Sequence, residues 1–172
     1  MLMGVEMVNI VLIGMPGSGK STIGVLLAKA LGMDFIDTDL LIQGRMGTLL
    51  QDIIRDRGIG GFIHIENEII TGINCLNTVI ATGGSAVYSH EAMGHLGSRG
   101  IIVYLEVGYN EIVRRITNIT SRGIVFEEGE ELIDLYDRRL PLYERYADLT
   151  IHCNHRDIES IVSQIKEDVK GL

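Results

Sequence analysis

Gly14-Met15-Pro16-Gly17-Ser18-Gly19-Lys20-Ser21 fills every fixed position of the phosphate-binding pattern G-x-x-x-x-G-K-[ST]. Before it, Asn9 to Ile13 is a run of mostly branched apolar residues, the pattern of a buried parallel strand. After it, Thr22 to Leu31 carries apolar residues at helical spacing. A glycine-rich loop between strand and helix offers an anion unpaired N–H groups and the positive end of the helix dipole. Gly14, Gly17 and Gly19 let the main chain approach phosphate oxygens closely, and Pro16, Ser18 and Thr22 complete the expected nucleotide cradle. Lys20 is expected on the outer phosphates. The Ser21 hydroxyl suits magnesium, a hard cation that shares its ligands with nucleotide oxygens.

The 172 residues suffice for one domain with a substantial core, and no Pro/Ser-rich linker or charge run divides them. A net charge of -8 argues against a nucleic-acid partner, whose phosphates demand a basic face. No apolar run approaches a membrane span, and Met1 to Val8 lacks a basic leader, so a cytoplasmic protein with a small-molecule partner is expected. The two cysteines, Cys75 and Cys153, lie far apart without metal-ligand spacing and read as buried thiols.

Short apolar strands alternate with helical runs along the chain, which predicts an α/β three-layer sandwich: a five-stranded parallel sheet with helices on both faces. Phe35-Ile36 forms the second strand, ending in Asp37-Thr38-Asp39. On an extended segment the two carboxylates point to one side, at the sheet edge the glycine loop marks as the ligand edge. Either could instead cap the helix expected near Leu40. Leu40 to Met46, Leu49 to Arg57 with Thr48 as N-cap, and Gly60 to Leu76 read as three consecutive helices, a helical insertion over about 40–76. Arg45, Arg55, Arg57 and His64 within it could meet an anionic substrate or stay solvated.

Thr78 to Thr82 is a buried strand followed by Gly83-Gly84-Ser85, read as close backbone approach to a ligand or as a tight turn. Ser89 caps a short helix, and Ile101 to Leu105 is the fourth strand. Asn110 to Ile119 is helical and ends in a break at Thr120-Ser121-Arg122-Gly123, read as a lid over about 120–128 or as an ordinary surface loop. Glu130 to Tyr146 is a long helix in which Pro141 predicts a kink or break. Leu149 to His152 gives the fifth strand, and Asp157 to Val169 an amphipathic closing helix.

Together these pieces resemble the shikimate kinase family over nearly the whole chain. The resemblance rests on Gly14 to Ser21, the Asp37-Thr38-Asp39 triplet, Gly83-Gly84, Arg122 and Arg139-Leu140-Pro141-Leu142-Tyr143. It implies transfer of the terminal phosphate of ATP to a hydroxyl of shikimate or a related small hydroxy acid, a place in aromatic amino acid biosynthesis, and a working monomer. By the same resemblance Lys20, Asp39 and Arg122 are catalytic. Ser21 and Asp37 hold Mg2+, Arg115 or its neighbour Arg114 stacks on adenine, and Asp39, Gly83, Gly84 and Arg139 bind the acceptor.

Three departures bear on that acceptor. Ile63 stands where the family has an arginine after Phe62, Ile59 where it has a glutamate, and Ser85 where it has a third glycine. The phosphoryl-transfer half matches and the acceptor half is altered. A kinase for another polyol, sugar acid or nucleotide is therefore the second reading, and a non-catalytic nucleotide-binding regulatory module the third.

Overall fold

The computed structural model describes residues 8–116 and 124–171. Arg122 and the first part of the expected lid lie outside the described residues.

Asn9–Ile13 (β1) is buried along its whole length, as its unbroken apolar run requires. It lies in the middle of a sheet with Asp34–Asp37 (β2), Thr78–Ala81 (β3), Gly100–Glu106 (β4) and Leu149–His152 (β5). The order is β2-β3-β1-β4-β5 and every pairing is parallel. Burial of all residues of β1 and β3 means that helices cover both faces, the three-layer arrangement expected from the alternation. The edge strands β2 and β5 are only partly buried. The chain leaves β1 toward β2 on one side and later crosses to β4 on the other. The carboxyl ends of β1 and β3 therefore flank a topological switch point, where open parallel sheets bind ligands.

Lys20–Leu31 (α1) starts directly after the glycine loop and ends at Gly32, whose left-handed backbone (φ 69°) sends its N–H to the Ala28 carbonyl. Gly24 makes the contact of α1 with the sheet possible, since a Cβ there would stand 2.6 Å from the Phe35 ring.

The second helix begins earlier than expected. Thr38–Met46 (α2) includes Asp39, so Asp37 and Asp39 do not share an extended segment: Asp37 ends β2, and Asp39 lies in the first helical turn. The reason is capping, because the Asp37 carboxylate accepts from the Asp39 and Leu40 N–H groups and starts the helix at once.

The next two expected helices form one long element, Leu50–Thr71 (α3), bent at Gly58 (φ 69°, ψ 175°). Its N-cap is Leu49, and it stops at Thr71, short of Leu76. The Thr48 hydroxyl is spent on Asp52. Ile42, Leu50, Ile53, Phe62, Ile69 and Val125 form a small apolar core between α2, α3 and the segment leading to the later helices, separate from the main core around the sheet.

His90–Gly97 (α4) is capped by Ser89, as expected; Tyr109–Arg115 (α5) ends at Ile116, and the remainder of the run expected to Ile119 lies outside the described residues. Leu132–Tyr146 (α6) runs on through Pro141. A proline removes one hydrogen bond and crowds the preceding turn, but the flanking packing of buried Leu135, Arg139 and Tyr143 holds the helix together. Glu131 and Asp134 supply a reciprocal capping box at its start. Ile158–Val169 (α7) buries Ile161, Val162 and Ile165 as its amphipathic pattern demands. Cys153 is buried, whereas Cys75 is only half-buried. No helix among the described residues is long and apolar enough to cross a membrane.

Candidate active site

At the switch point lies a cleft of about 500 Å³. Pro16, Gly17, Gly19, Lys20, Ser21 and Thr22 form one wall, and Asp39, Phe62, Gly83, Gly84, Ser85 and Arg139 form another. Gly19 precedes α1 in a left-handed conformation (φ 96°) that a side chain would strain, and no side chain caps the helix. The first-turn amides thus face the cleft as an anion site. Ser18 is buried beneath the loop, and Gly14 packs against the Leu105 carbonyl, where a Cβ would come within 2.8 Å. Those two shape the cradle from below.

The Lys20 ammonium folds onto its own loop, donating to the Gly14 and Met15 carbonyls at 2.7 and 2.9 Å. The Ser21 hydroxyl donates to the Asp37 carboxylate at 2.6 Å. Two hard oxygens side by side at the mouth of a phosphate cradle are the donor set magnesium takes. Asp37 caps α2 with one oxygen, as weighed from the sequence, and accepts from Ser21 with the other, but it is not among the residues that line the cleft.

Asp39 reaches the cleft from α2. Burial, then the Asp37 charge, raise its carboxyl to about 6, against the opposing pull of Lys20. Its Oδ1 would lie 2.7 Å from a Cβ at Gly83, so only glycine fits that position. The Gly83 N–H donates to the Thr38 hydroxyl at 3.0 Å, which ties the loop after β3 to the start of α2. Gly84 is equally constrained: a Cβ would stand 2.8 Å from Arg139 Nη1 and 2.9 Å from Pro16 Cδ.

Arg139 is almost wholly buried (1% exposed), a placement that only hydrogen bonds can support for a guanidinium. Its Nε donates to the Tyr88 hydroxyl at 2.9 Å and its Nη2 to the Val125 carbonyl at 3.2 Å. Tyr143 fixes the same corner from below, donating to the Gly84 carbonyl at 2.8 Å while stacked on Tyr104. Arg115 lines the cleft at its glycine-loop end, steadied by Glu111. Arg114 points out to solvent and pairs with the other oxygen of Glu111, so of the two arginines only Arg115 reaches the site.

Arg45, Arg55, Arg57 and His64 are exposed and none lines the cleft. Arg55 pairs with Asp52 and Asp56, and His64 with Glu68. Ile63 is half-buried and also stays out of the cleft lining. Ile124 and Val125, from the stretch read as a lid or a surface loop, line the cleft. Sequence reasoning missed Gln43, Leu50 and Thr82 as lining residues and Tyr88 as the partner of Arg139. Nothing in their local patterns marks them; they arrive by tertiary packing.

A family model described as "Shikimate kinase" matches residues 16–170. The shikimate kinase of Haemophilus influenzae is 38% identical over 169 residues, 95% of this chain and 93% of its own. The chain belongs to the shikimate kinase family. A second relative, the shikimate kinase of Rippkaea orientalis, is 40% identical over 166 residues, covering 94% of this chain and 88% of that one. Among solved structures, the shikimate kinase from Acinetobacter baumannii in complex with shikimate superposes with a TM-score of 0.87 at 30% identity, covering 96% of this chain and 94% of that one. As a member of the shikimate kinase family, this chain is an ATP-dependent phosphotransferase acting on a small-molecule hydroxyl.

Proposed function

We propose that this chain transfers the terminal phosphoryl group of ATP to a hydroxyl of shikimate or a closely related small hydroxy acid. The observation that carries the reading is the convergence of an uncapped glycine loop, a carboxylate and a buried guanidinium on one cleft: Gly19 to Thr22, Asp39 and Arg139. The shikimate complex of the relative at TM-score 0.87 supports the same acceptor.

The amides of the loop and of the first turn of α1 grip the phosphates, and Lys20 turns from its own carbonyls onto the outer ones. Ser21 and Asp37 would hold Mg2+, which supplies charge neutralisation on the phosphate oxygens when bound. Asp39 orients the acceptor hydroxyl and takes its proton, a role that requires a carboxylate within reach of the reacting oxygen. Arg139 pairs with the acceptor's carboxylate, Gly83 and Gly84 let the acceptor approach the backbone, and Arg115 lies against the adenine. Arg122 would bring a further positive charge. Helices α2 and α3 act as the acceptor-side insertion. With the whole cleft drawn from one chain, a monomer suffices, and the acidic surface suits a cytoplasmic enzyme of small molecules rather than nucleic acid.

One observation favours a different acceptor within the same chemistry. Among the described residues Arg139 is the acceptor side's cation, because Ile63 brings none. ADP release with shikimate, measured beside a panel of sugar acids, polyols and nucleosides, decides between them. Turnover with shikimate is expected; turnover only with another compound overturns the acceptor assignment. Nucleotide binding without transfer to any of them overturns the enzyme.

A further inference from the structure

Gln43 lies on α2 one turn after Asp39, so the two side chains rise from the same face of the helix. Both line the cleft. Gln43 is half-buried, and the two ends of its side-chain amide meet different surroundings.

The oxygen end is committed. Helix α3 starts at Leu50 without a side-chain cap from Leu49, which leaves the first amides of that helix in need of acceptors. Gln43 Oε1 serves one of them, accepting from the Leu50 N–H at 3.3 Å. That bond decides the rotation of the amide, since only its oxygen can accept from an N–H. The nitrogen end is left as a pure donor. Nε2 donates to no described residue and is not shut away from solvent, so it stays accessible on a residue that lines the cleft.

The cation of the acceptor wall leaves room for such a donor. Arg139 gives its Nε–H to the Tyr88 hydroxyl and an N–H of Nη2 to the Val125 carbonyl. Nη1 lies toward Gly84, where a Cβ would stand 2.8 Å from it. A carboxylate has two oxygens, each able to accept more than one hydrogen bond, and the remaining edge of one guanidinium does not fill them. Ile63, off the cleft, adds no charge. The other cations on the described lining, Lys20 and Arg115, lie at the glycine-loop end.

We propose that Gln43 is an acceptor-binding residue: its Nε2 donates to the carboxylate of the acceptor, beside Arg139, while its Oε1 holds the start of α3. A neutral amide thereby carries part of the recognition that a second guanidinium would supply. The hydroxyl oriented by Asp39 and the acid group are then read from one helix face, by side chains rooted about 5–6 Å apart, which suits a compact hydroxy acid rather than an extended one. This rests on the phosphotransfer reading above.

Two measurements test it on the full chain. The first uses two variants that separate the two ends of the amide. Gln43→Glu keeps an acceptor for the Leu50 N–H, places a negative charge at the start of α3 where the helix dipole favours it, and removes the donor. Its Tm should equal or exceed that of wild type, while the KM for shikimate rises at least about tenfold and the KM for ATP stays within about twofold. Its preference for shikimate over the analogue with a hydroxymethyl group in place of the carboxylate should shrink by about the same factor. Gln43→Met loses both ends, so the KM for shikimate should rise together with a fall in Tm. An unchanged or lower KM for shikimate in Gln43→Glu overturns the proposal and leaves Gln43 as a cap. So does an equal loss for the acid and the hydroxymethyl compound.

The second measurement needs no turnover. The 15N side-chain amide resonance of Gln43, assigned with Gln43→Glu, is followed as shikimate is added in the presence of ADP, with the Gly83 and Gly84 backbone amides reporting acceptor binding. All three should move together. Movement of the two glycines beside a still Gln43 amide overturns this inference alone. No movement at any of the three removes shikimate as the acceptor, and this inference falls with that assignment.

Discussion

Asp39 and Gly84 are the residues on which the chemistry and the geometry of the cleft turn most directly. Asp39→Asn keeps the shape of the side chain and removes its capacity to take a proton. We expect kcat to fall by about 100-fold or more with the Kd for ATP unchanged within about twofold, read by steady-state kinetics beside nucleotide titration. A variant that retains full kcat would remove Asp39 from the reaction. Gly84→Ala acts by crowding instead. The added methyl would press on Arg139 Nη1 at 2.8 Å and on Pro16 Cδ at 2.9 Å, one from the acceptor pocket and one from the phosphate loop. Overpacking of this kind costs about 1–3 kcal/mol, and because the displaced atom belongs to the cation proposed for the acceptor, kcat/KM for the acceptor should fall at least about tenfold. A crystal structure or a kcat/KM indistinguishable from wild type would show that the corner has slack.

Helix α3 shows how one residue sets the course of an element. At Gly58 the backbone takes φ 69° and ψ 175°, a region essentially reserved for glycine, while Gly60 two residues on lies in regular helix. Neither would bring a new Cβ within 4 Å of another atom, so substitutions there report backbone effects alone. Gly58→Ala should destabilise by about 1–3 kcal/mol and Gly60→Ala should stabilise by up to about 1 kcal/mol, seen as opposite shifts in Tm. Two shifts of the same sign would mean that the bend is not held by Gly58. The sequence pattern carried the strands, the glycine loop and most helices, because those depend on local periodicity and on residues with unique backbone freedom. It placed Asp39 wrongly on an extended segment, because a cap at Asp37 starts a helix within one residue and leaves no periodic signal. Of the kink or break expected at Pro141, the break does not occur, since tertiary packing around Arg139 and Tyr143 outweighs one lost hydrogen bond. In the site, the nucleotide half was legible as contiguous sequence. The acceptor half is assembled from α2, α3, the loop after β3 and α6, so its contacts, Ser85 with Glu66 and Tyr88 with Arg139, could be found only in three dimensions.

For the molecule as a whole, the acceptor wall sets how stability depends on pH. Glu66 has an ordinary carboxyl value of 4.5, raised in the folded chain to about 7 chiefly by burial, with the Ser85 hydrogen bond opposing and the Asp39 charge adding to the rise. A carboxyl raised on folding favours the native state below its unfolded value, and that contribution is lost as pH rises through the folded value. Between about pH 4.5 and 7 the native chain keeps a proton that the unfolded chain has already released, so stability falls over that window. Asp39, raised to about 6, contributes with the same sign. The site thus holds two carboxyls in a place that opposes folding near neutrality, and the large apolar core around the sheet offsets the cost. Glu66→Gln removes the larger of the two titrations while retaining an oxygen for the Ser85 hydroxyl. Relative to wild type it should gain on the order of 2–3 kcal/mol between pH 5 and pH 8, by urea denaturation at each pH. The two proteins should converge below about pH 4.5, where the wild-type carboxyl is neutral in the folded and the unfolded chain alike. Parallel curves across that range would mean that Glu66 ionises as easily in the folded chain as in the unfolded one, which would require the Ser85 hydrogen bond and the Arg139 charge to cancel the effect of burial.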